Sequence, residues 1–66
     1  MNLQASITWI DARNQLPDED ETVLIAESDG EVSSGFLDEG GWRYTSADRV
    51  IAEVTHWADM PAAPKN

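Results

Sequence analysis

The pattern of apolar and polar residues predicts a chain built from short strands. Residues 22–27 are β-branched and apolar on both faces, which is typical of a strand at the centre of a sheet. Residues 32–37 alternate between two faces and predict a second strand, and residues 42–45 predict a short third strand. A fourth strand is expected over residues 53–57, where apolar and polar side chains alternate again.

Turn residues separate the first three of these strands. Asp29 and Gly30 predict a hairpin turn within residues 28–31, because an Asp-Gly pair is a strong local hairpin signal. Gly40 and Gly41 are expected to supply the positive φ angles of the next turn, since glycine adopts them without steric cost.

Two segments leave the secondary structure open. Residues 11–15 are compatible with one helical turn that closes at Leu16 and Pro17. Residues 46–52 fit either a short helical turn capped by Ser46 or a strand that continues into the last element, and we favour a loop. The whole pattern predicts a mainly β fold, with α+β as the alternative: a small antiparallel meander of three to four strands with little helix.

The length of the chain limits the core. Its 66 residues are enough for one small domain, residues 1–66, with frayed ends at about 1–6 and 62–66. No cysteine is present, so no disulfide stabilises the fold. Homodimerisation would be a natural supplement to so small a core. The side chains expected to be largely buried are Trp9, Phe36, Trp42 and Trp57.

The net charge narrows the class of partner. Thirteen acidic and four basic residues give a formal charge of −9. This balance argues against direct binding of nucleic acid, which needs lysine and arginine to neutralise phosphates, and against binding to an anionic membrane surface. A protein this acidic favours basic partners, or it is simply very soluble.

The negative charge is concentrated in the middle of the sequence, while the flanks on either side are nearly balanced. No basic residue lies between Arg13 and Arg43, and that interval contains nine acids. A solvated surface is the simpler interpretation of such a run, and a partner-binding surface is the alternative. The candidate partner-binding residues are Asp18, Glu19, Asp20, Glu21, Glu27, Asp29, Glu31, Asp38 and Glu39.

The order of several short motifs resembles a known family. Trp9-Ile10 and Leu16-Pro17 come first, Val23-Leu24, Gly35 and Trp42 follow, and the chain closes with Val54, Thr55, His56 and Trp57. This order resembles a family of short phage- and prophage-encoded proteins catalogued as a domain of unknown function. The chain departs from the pattern at residues 58–61, where the family more often has methionine directly after the tryptophan.

What the resemblance implies is a phage or mobile-element origin and action inside a bacterial cell. The family has no established activity, so no catalytic residue is carried over. The lack of cysteine and of a leader sequence also leads us to expect a cytoplasmic protein.

Candidate chemistry is sparse. His56 is the only histidine, and the metal-ligand spacing that would accompany a catalytic or zinc-binding histidine is missing, so we expect a structural role. No serine lies in a nucleophile motif, and neither a phosphate-binding glycine loop nor a twelve-residue calcium loop is present. The sequence therefore predicts no enzymatic activity, no metal site and no cofactor.

The leading functional hypothesis is a non-enzymatic inhibitor of phage type. Its carboxylates would imitate a phosphate backbone and bind the basic surface of a bacterial host protein that normally holds nucleic acid, in the manner of an anti-CRISPR protein acting on host defence. The alternative is a phage structural or scaffolding accessory that self-associates and uses its charge only for solubility.

Overall fold

The computed structural model describes residues 7–61, which form a single antiparallel sheet of five strands. The mainly β fold class predicted from the sequence is confirmed. Residues 7–61 include no helix, and so none long and apolar enough to cross a membrane. The predicted frayed ends lie outside the described residues. The strands are β1 (Ile10–Asp11), β2 (Val23–Glu27), β3 (Val32–Asp38), β4 (Gly41–Tyr44) and β5 (Val54–Asp59).

The strand order is β1-β5-β2-β3-β4. Strands β2, β3 and β4 form the predicted meander, and β5 returns across the sheet to pair with both β1 and β2. This return places β2 between two partners, as its apolar character on both faces predicts. The strand that the sequence did not predict is β1, which has only two residues and is held in the sheet by its pairing with β5.

Both hairpin turns fall where glycine predicts them. In the first turn Gly30 has a φ of 93°, and its amide donates to the Glu27 carbonyl at 2.9 Å. In the second turn Glu39 and Gly40 take the positive φ angles, 51° and 84°, while Gly41 already belongs to β4. The expectation that two glycines share this turn is therefore wrong at Gly41, and an acidic residue adopts the left-handed conformation instead.

The two open segments are both irregular. After β1, the Asp11 carbonyl accepts hydrogen bonds from the amides of Asn14 at 3.0 Å and Gln15 at 3.2 Å, which makes a turn and not a helix. The segment before β5 is the favoured loop. Its only regular contact is an isolated bridge between Arg49 and Arg43, which places the loop along the outer edge of β4.

The core lies on one face of the sheet, called here the core face. Val23 and Ile25 of β2 and Trp57 of β5 are buried there, and Val50 packs on them from the loop before β5. Trp57 is 4% exposed, and its indole N–H donates to the Gln15 carbonyl at 2.8 Å. This bond ties the segment after β1 across the core, so Trp57 combines apolar burial with a satisfied polar group.

Three of the four predicted core aromatics are less buried than expected. Trp9 is 38% exposed, because its neighbour Ile10 points to the core and alternation sends Trp9 to the opposite side, the outer face. Phe36 is half-buried for the same reason, since Gly35 and Leu37 occupy the core face of β3. Trp42 packs at the border of the core and is only partly buried. Trp57 alone meets the expectation.

Removal of the Trp57 side chain should unfold the protein. A buried tryptophan truncated to alanine costs about 3–5 kcal/mol, which is most of the stability of a domain this small. Trp57→Ala is therefore expected to lose its cooperative thermal transition in a circular dichroism melt. Trp9→Ala is the matched control and should keep a transition close to that of the parent protein; equal losses in both variants would contradict the core described here.

Candidate functional site: the acidic end of the sheet

Antiparallel pairing distributes the acids from the middle of the sequence to the two ends of the sheet. Because β2 and β3 run in opposite directions, the loop that precedes β2 lies beside the turn that follows β3. The acids of residues 18–21 and 38–39 therefore meet at one end of the sheet. The turn between β2 and β3, with Asp29 and Glu31, lies at the other end.

The carboxylate of Glu19 joins the loop to the turn. Its Oε1 accepts from the Glu39 amide at 3.1 Å and its Oε2 accepts from the Gly40 amide at 3.2 Å. The Asp20 amide adds a bond to the Leu37 carbonyl at 2.9 Å, so the loop backbone continues along the end of β3. Bonds from backbone N–H groups to a carboxylate are stronger than neutral ones. Glu19 thus serves the fold, although the sequence suggested a contact residue.

The neighbouring acids remain on the surface. Asp38 is half-buried and differs from them in being paired, because Arg43 donates to its carboxylate at 3.0 Å and forms an ion pair with it. We call the exposed carboxylates at this end the acidic end. Its members are Asp18, Asp20, Glu21, Glu39 and Asp59.

Asp59 is the member that the sequence did not indicate. It belongs to the C-terminal flank, which is nearly balanced in charge, but the return of β5 places it opposite Val23, two residues after Glu21. Only the pairing of β5 with β2 brings these distant segments together. This placement could be predicted from the sequence only if the strand order were already known, and no local motif encodes that order.

The opposite end of the sheet carries a smaller acidic group. The Asp29 carboxylate accepts from the Glu31 amide at 3.0 Å, which shapes the turn and leaves the Glu31 side chain exposed. Asp48 and Glu53 are drawn to this end through their backbones, since their carbonyls accept from Tyr44 at 2.9 Å and Ser28 at 2.8 Å. Strand β2 separates the two ends by about 17 Å, given roughly 3.3 Å per strand residue.

Glu27 differs from the other predicted contact residues because it is buried. It is 6% exposed, and its carboxylate accepts from the Tyr44 hydroxyl at 2.8 Å and from the Ser33 hydroxyl at 3.4 Å. The bond to Glu27 is the main cause that raises the pKa of Tyr44 above its ordinary value of 10, with burial as a further cause. Glu27 is therefore withdrawn from the accessible surface.

His56 lies in β5, on the outer face of the sheet. It is half-buried opposite Asp11, and its Nδ1 lies 3.0 Å from the Thr55 hydroxyl. Asp11 is engaged by Arg13, whose hydrogen bonds lower the Asp11 pKa to about 2. Within residues 7–61, no group of three or more histidine and acidic side chains is positioned to hold a metal ion.

Comparison with known proteins identifies the family. The family described as "Protein of unknown function (DUF551)" matches residues 8–65, which is most of the chain, and the chain therefore belongs to it. No curated protein and no solved structure matches the chain.

The hydrogen bond between Tyr44 and Glu27 should be visible in the titration of the tyrosine. Tyr44 is the only tyrosine, so phenolate absorbance reports its titration directly. We expect its midpoint to lie above 10 and to fall toward 10 in Glu27→Gln. Because the folded-state pKa is the higher one, this contribution to stability is present below about pH 10 and is lost as the pH rises through the folded-state value.

Glu31→Gln is the matched control for this titration. It removes one negative charge from the same end of the sheet without touching the Tyr44 hydroxyl, so it should move the midpoint less than Glu27→Gln does. A parent midpoint at or below 10 would contradict the bond.

Proposed function

We propose that this DUF551 protein is a non-enzymatic binding protein whose acidic end contacts a basic, nucleic-acid-binding surface of another protein. In its more specific form, the proposal is a phage-encoded inhibitor that acts in the bacterial cytoplasm on a nucleic-acid-guided defence protein. The carboxylates occupy positions that phosphates would otherwise take, and the two ligands would exclude each other.

The observation that supports the proposal is the bond of Glu19 to the tip of the β3–β4 turn. This bond holds two acidic segments, 18–21 and 38–40, in one arrangement before any partner is present. A surface that is ordered in advance loses less conformational entropy on binding than a flexible acidic tail does. Solubility alone does not require the two acidic segments to be held together in this way.

The charge balance at this end is also consistent with a basic partner. Arg43 is the one base bonded to a carboxylate there among the described residues, and it neutralises Asp38 only. The five carboxylates of the acidic end lie at the same end of the sheet, and like charges gathered in one place disfavour a small fold. Lysine and arginine from a partner would relieve that repulsion and accelerate association through long-range attraction.

The distance between the two ends of the sheet determines how long the proposed contact would be. A separation of about 17 Å equals roughly five phosphate repeats of 3.4 Å along one nucleic-acid strand. The acidic end would make the principal contact, and Asp29 and Glu31 would reach a second basic patch on the same partner.

Charge reversal tests the proposal without disturbing the fold. The variant carries Asp18→Lys and Glu21→Lys, both exposed, and leaves Glu19 and Glu27 intact because they hold the structure together. Immobilised protein is exposed to nuclease-treated bacterial lysate, and captured proteins are identified by mass spectrometry. We expect the parent protein to capture a nucleic-acid-binding protein, and we expect added oligonucleotide or salt to release it. The variant should capture at least about tenfold less of that protein.

The control variant, Asp48→Lys with Glu53→Lys, makes the same change in net charge at the other end of the sheet and should retain more of the same protein. Capture that resists oligonucleotide, salt and reversal of the acidic end would contradict the proposal. In that case the charge serves solubility, and the self-associating scaffold accessory becomes the better hypothesis.

A further inference from the structure

Within residues 7–61 the core packs on one face of the sheet, and the opposite, outer face carries accessible apolar side chains. Val32 is 55% exposed and Trp9 is 38% exposed, while Leu24, Ala26 and Phe36 are half-buried. Exposed apolar side chains that lie together on one surface often mark an interaction site.

The strand residues with charged side chains on the outer face belong to two ion pairs, in contrast with the free carboxylates at the ends of the sheet. Arg13 pairs with Asp11 at 3.0 Å, and Arg43 pairs with Asp38 at 3.0 Å. The register places Asp11 beside His56 at one edge of the sheet, and Arg43 beside Phe36 near the other. The two ion pairs therefore lie near opposite edges and leave an apolar band between them.

The shape of this band is suited to a copy of itself. A hollow of about 250 Å³ opens over Ala26, and Trp9, Val32 and His56 surround it. In a two-fold symmetric contact each surface supplies both the protruding and the receiving part. The exposed part of Trp9 and the hollow over Ala26 lie side by side on this face, so each copy can supply both.

We propose that the outer face binds the outer face of a second copy of this chain to form a symmetric dimer. A basic partner would be attracted to the ends of the sheet, where the free carboxylates lie, and not to this neutral face. A partner with charged residues on its contact surface would bury them unpaired against this face. A second copy brings the same neutral, apolar band and keeps both acidic ends outward. The proposal is independent of what the acidic end binds.

The area of the outer face limits the strength of the dimer. Five strands spaced about 4.8 Å apart and roughly five residues long give on the order of 400 Å² per copy. The total of about 800 Å² lies below the roughly 1,200 Å² at which stable interfaces begin, so the dimer should be weak and depend on concentration.

Salt should strengthen this association. Two chains of formal charge −9 repel each other at long range, and added ions screen that repulsion, whereas the apolar contact itself is not weakened. The salt dependence is thus opposite in sign to that of an acidic surface bound to a basic protein.

Sedimentation equilibrium of the purified chain, over a wide concentration range at low and high salt, tests the proposal. We expect the average mass to rise from the monomer toward twice that value with concentration, and to rise further in high salt. Val32→Glu puts a charge on the outer face and should raise the dissociation constant about tenfold or more, because an unpaired charge would be buried.

Ile51→Glu is the charge-matched control. Ile51 is 90% exposed in the loop before β5, and this loop packs on the core face. The dimer of the Ile51→Glu variant should therefore be as stable as the dimer of the parent protein. Circular dichroism verifies that both variants stay folded. A monomer at every concentration and salt would overturn the proposal and assign the face to a different occupant. Equal weakening by both substitutions would overturn it as well, since the contact would then not be on this face.

Discussion

The carboxylate of Glu19 determines how the charged parts of this molecule are arranged. It accepts two backbone amides at the tip of the β3–β4 turn, where Glu39 is held at a φ of 51°. Non-glycine residues adopt this conformation at some cost, and the two bonds offset it. Asp20, itself at a φ of 64°, continues the same contact through its amide. The acidic end is thus a product of folding and not of local sequence alone.

A sheet that is packed on one face explains the remaining distribution of side chains. Trp57 closes the core and anchors the segment after β1, and Glu27 is drawn inside by Tyr44. The other face keeps its apolar residues near the solvent but pairs its charges. As a result, a protein of high net charge has free carboxylates at its ends and a neutral surface between them, so the two surfaces suit different kinds of partner.

The features predicted from the sequence are those that local chemistry controls. The run that forms β2, the Asp29-Gly30 turn and the turn at Gly40 follow from β-branching and from glycine conformation. Alternation in β3 was also visible, but it does not say which of the two sets faces the core. Gly35 lies on the core face, where a Cβ would lie 2.5 Å from the Arg43 carbonyl oxygen and 3.2 Å from the Ile25 Cδ1, so a larger residue does not fit there.

The features that sequence reasoning missed all depend on pairing between distant segments. The position of β5 between β1 and β2 brings Asp59 to the acidic end and gives β1 its partner. The burial of Glu27 depends on Tyr44, seventeen positions away in the chain. The exposure of Trp9 follows from the register of Ile10 with Trp57. None of these relations leaves a mark in local composition.

Glu19 builds one preformed acidic surface from two separate segments of the chain. Amide hydrogen exchange at Glu39 and Gly40 measures this directly, because those two amides donate to the Glu19 carboxylate. Glu19→Ala should accelerate their exchange about tenfold or more, while Glu21→Ala, which removes the same charge from the same loop, should leave it nearly unchanged. Equal exchange in the parent and in both variants would contradict the claim, because the loop and the turn would then not be joined.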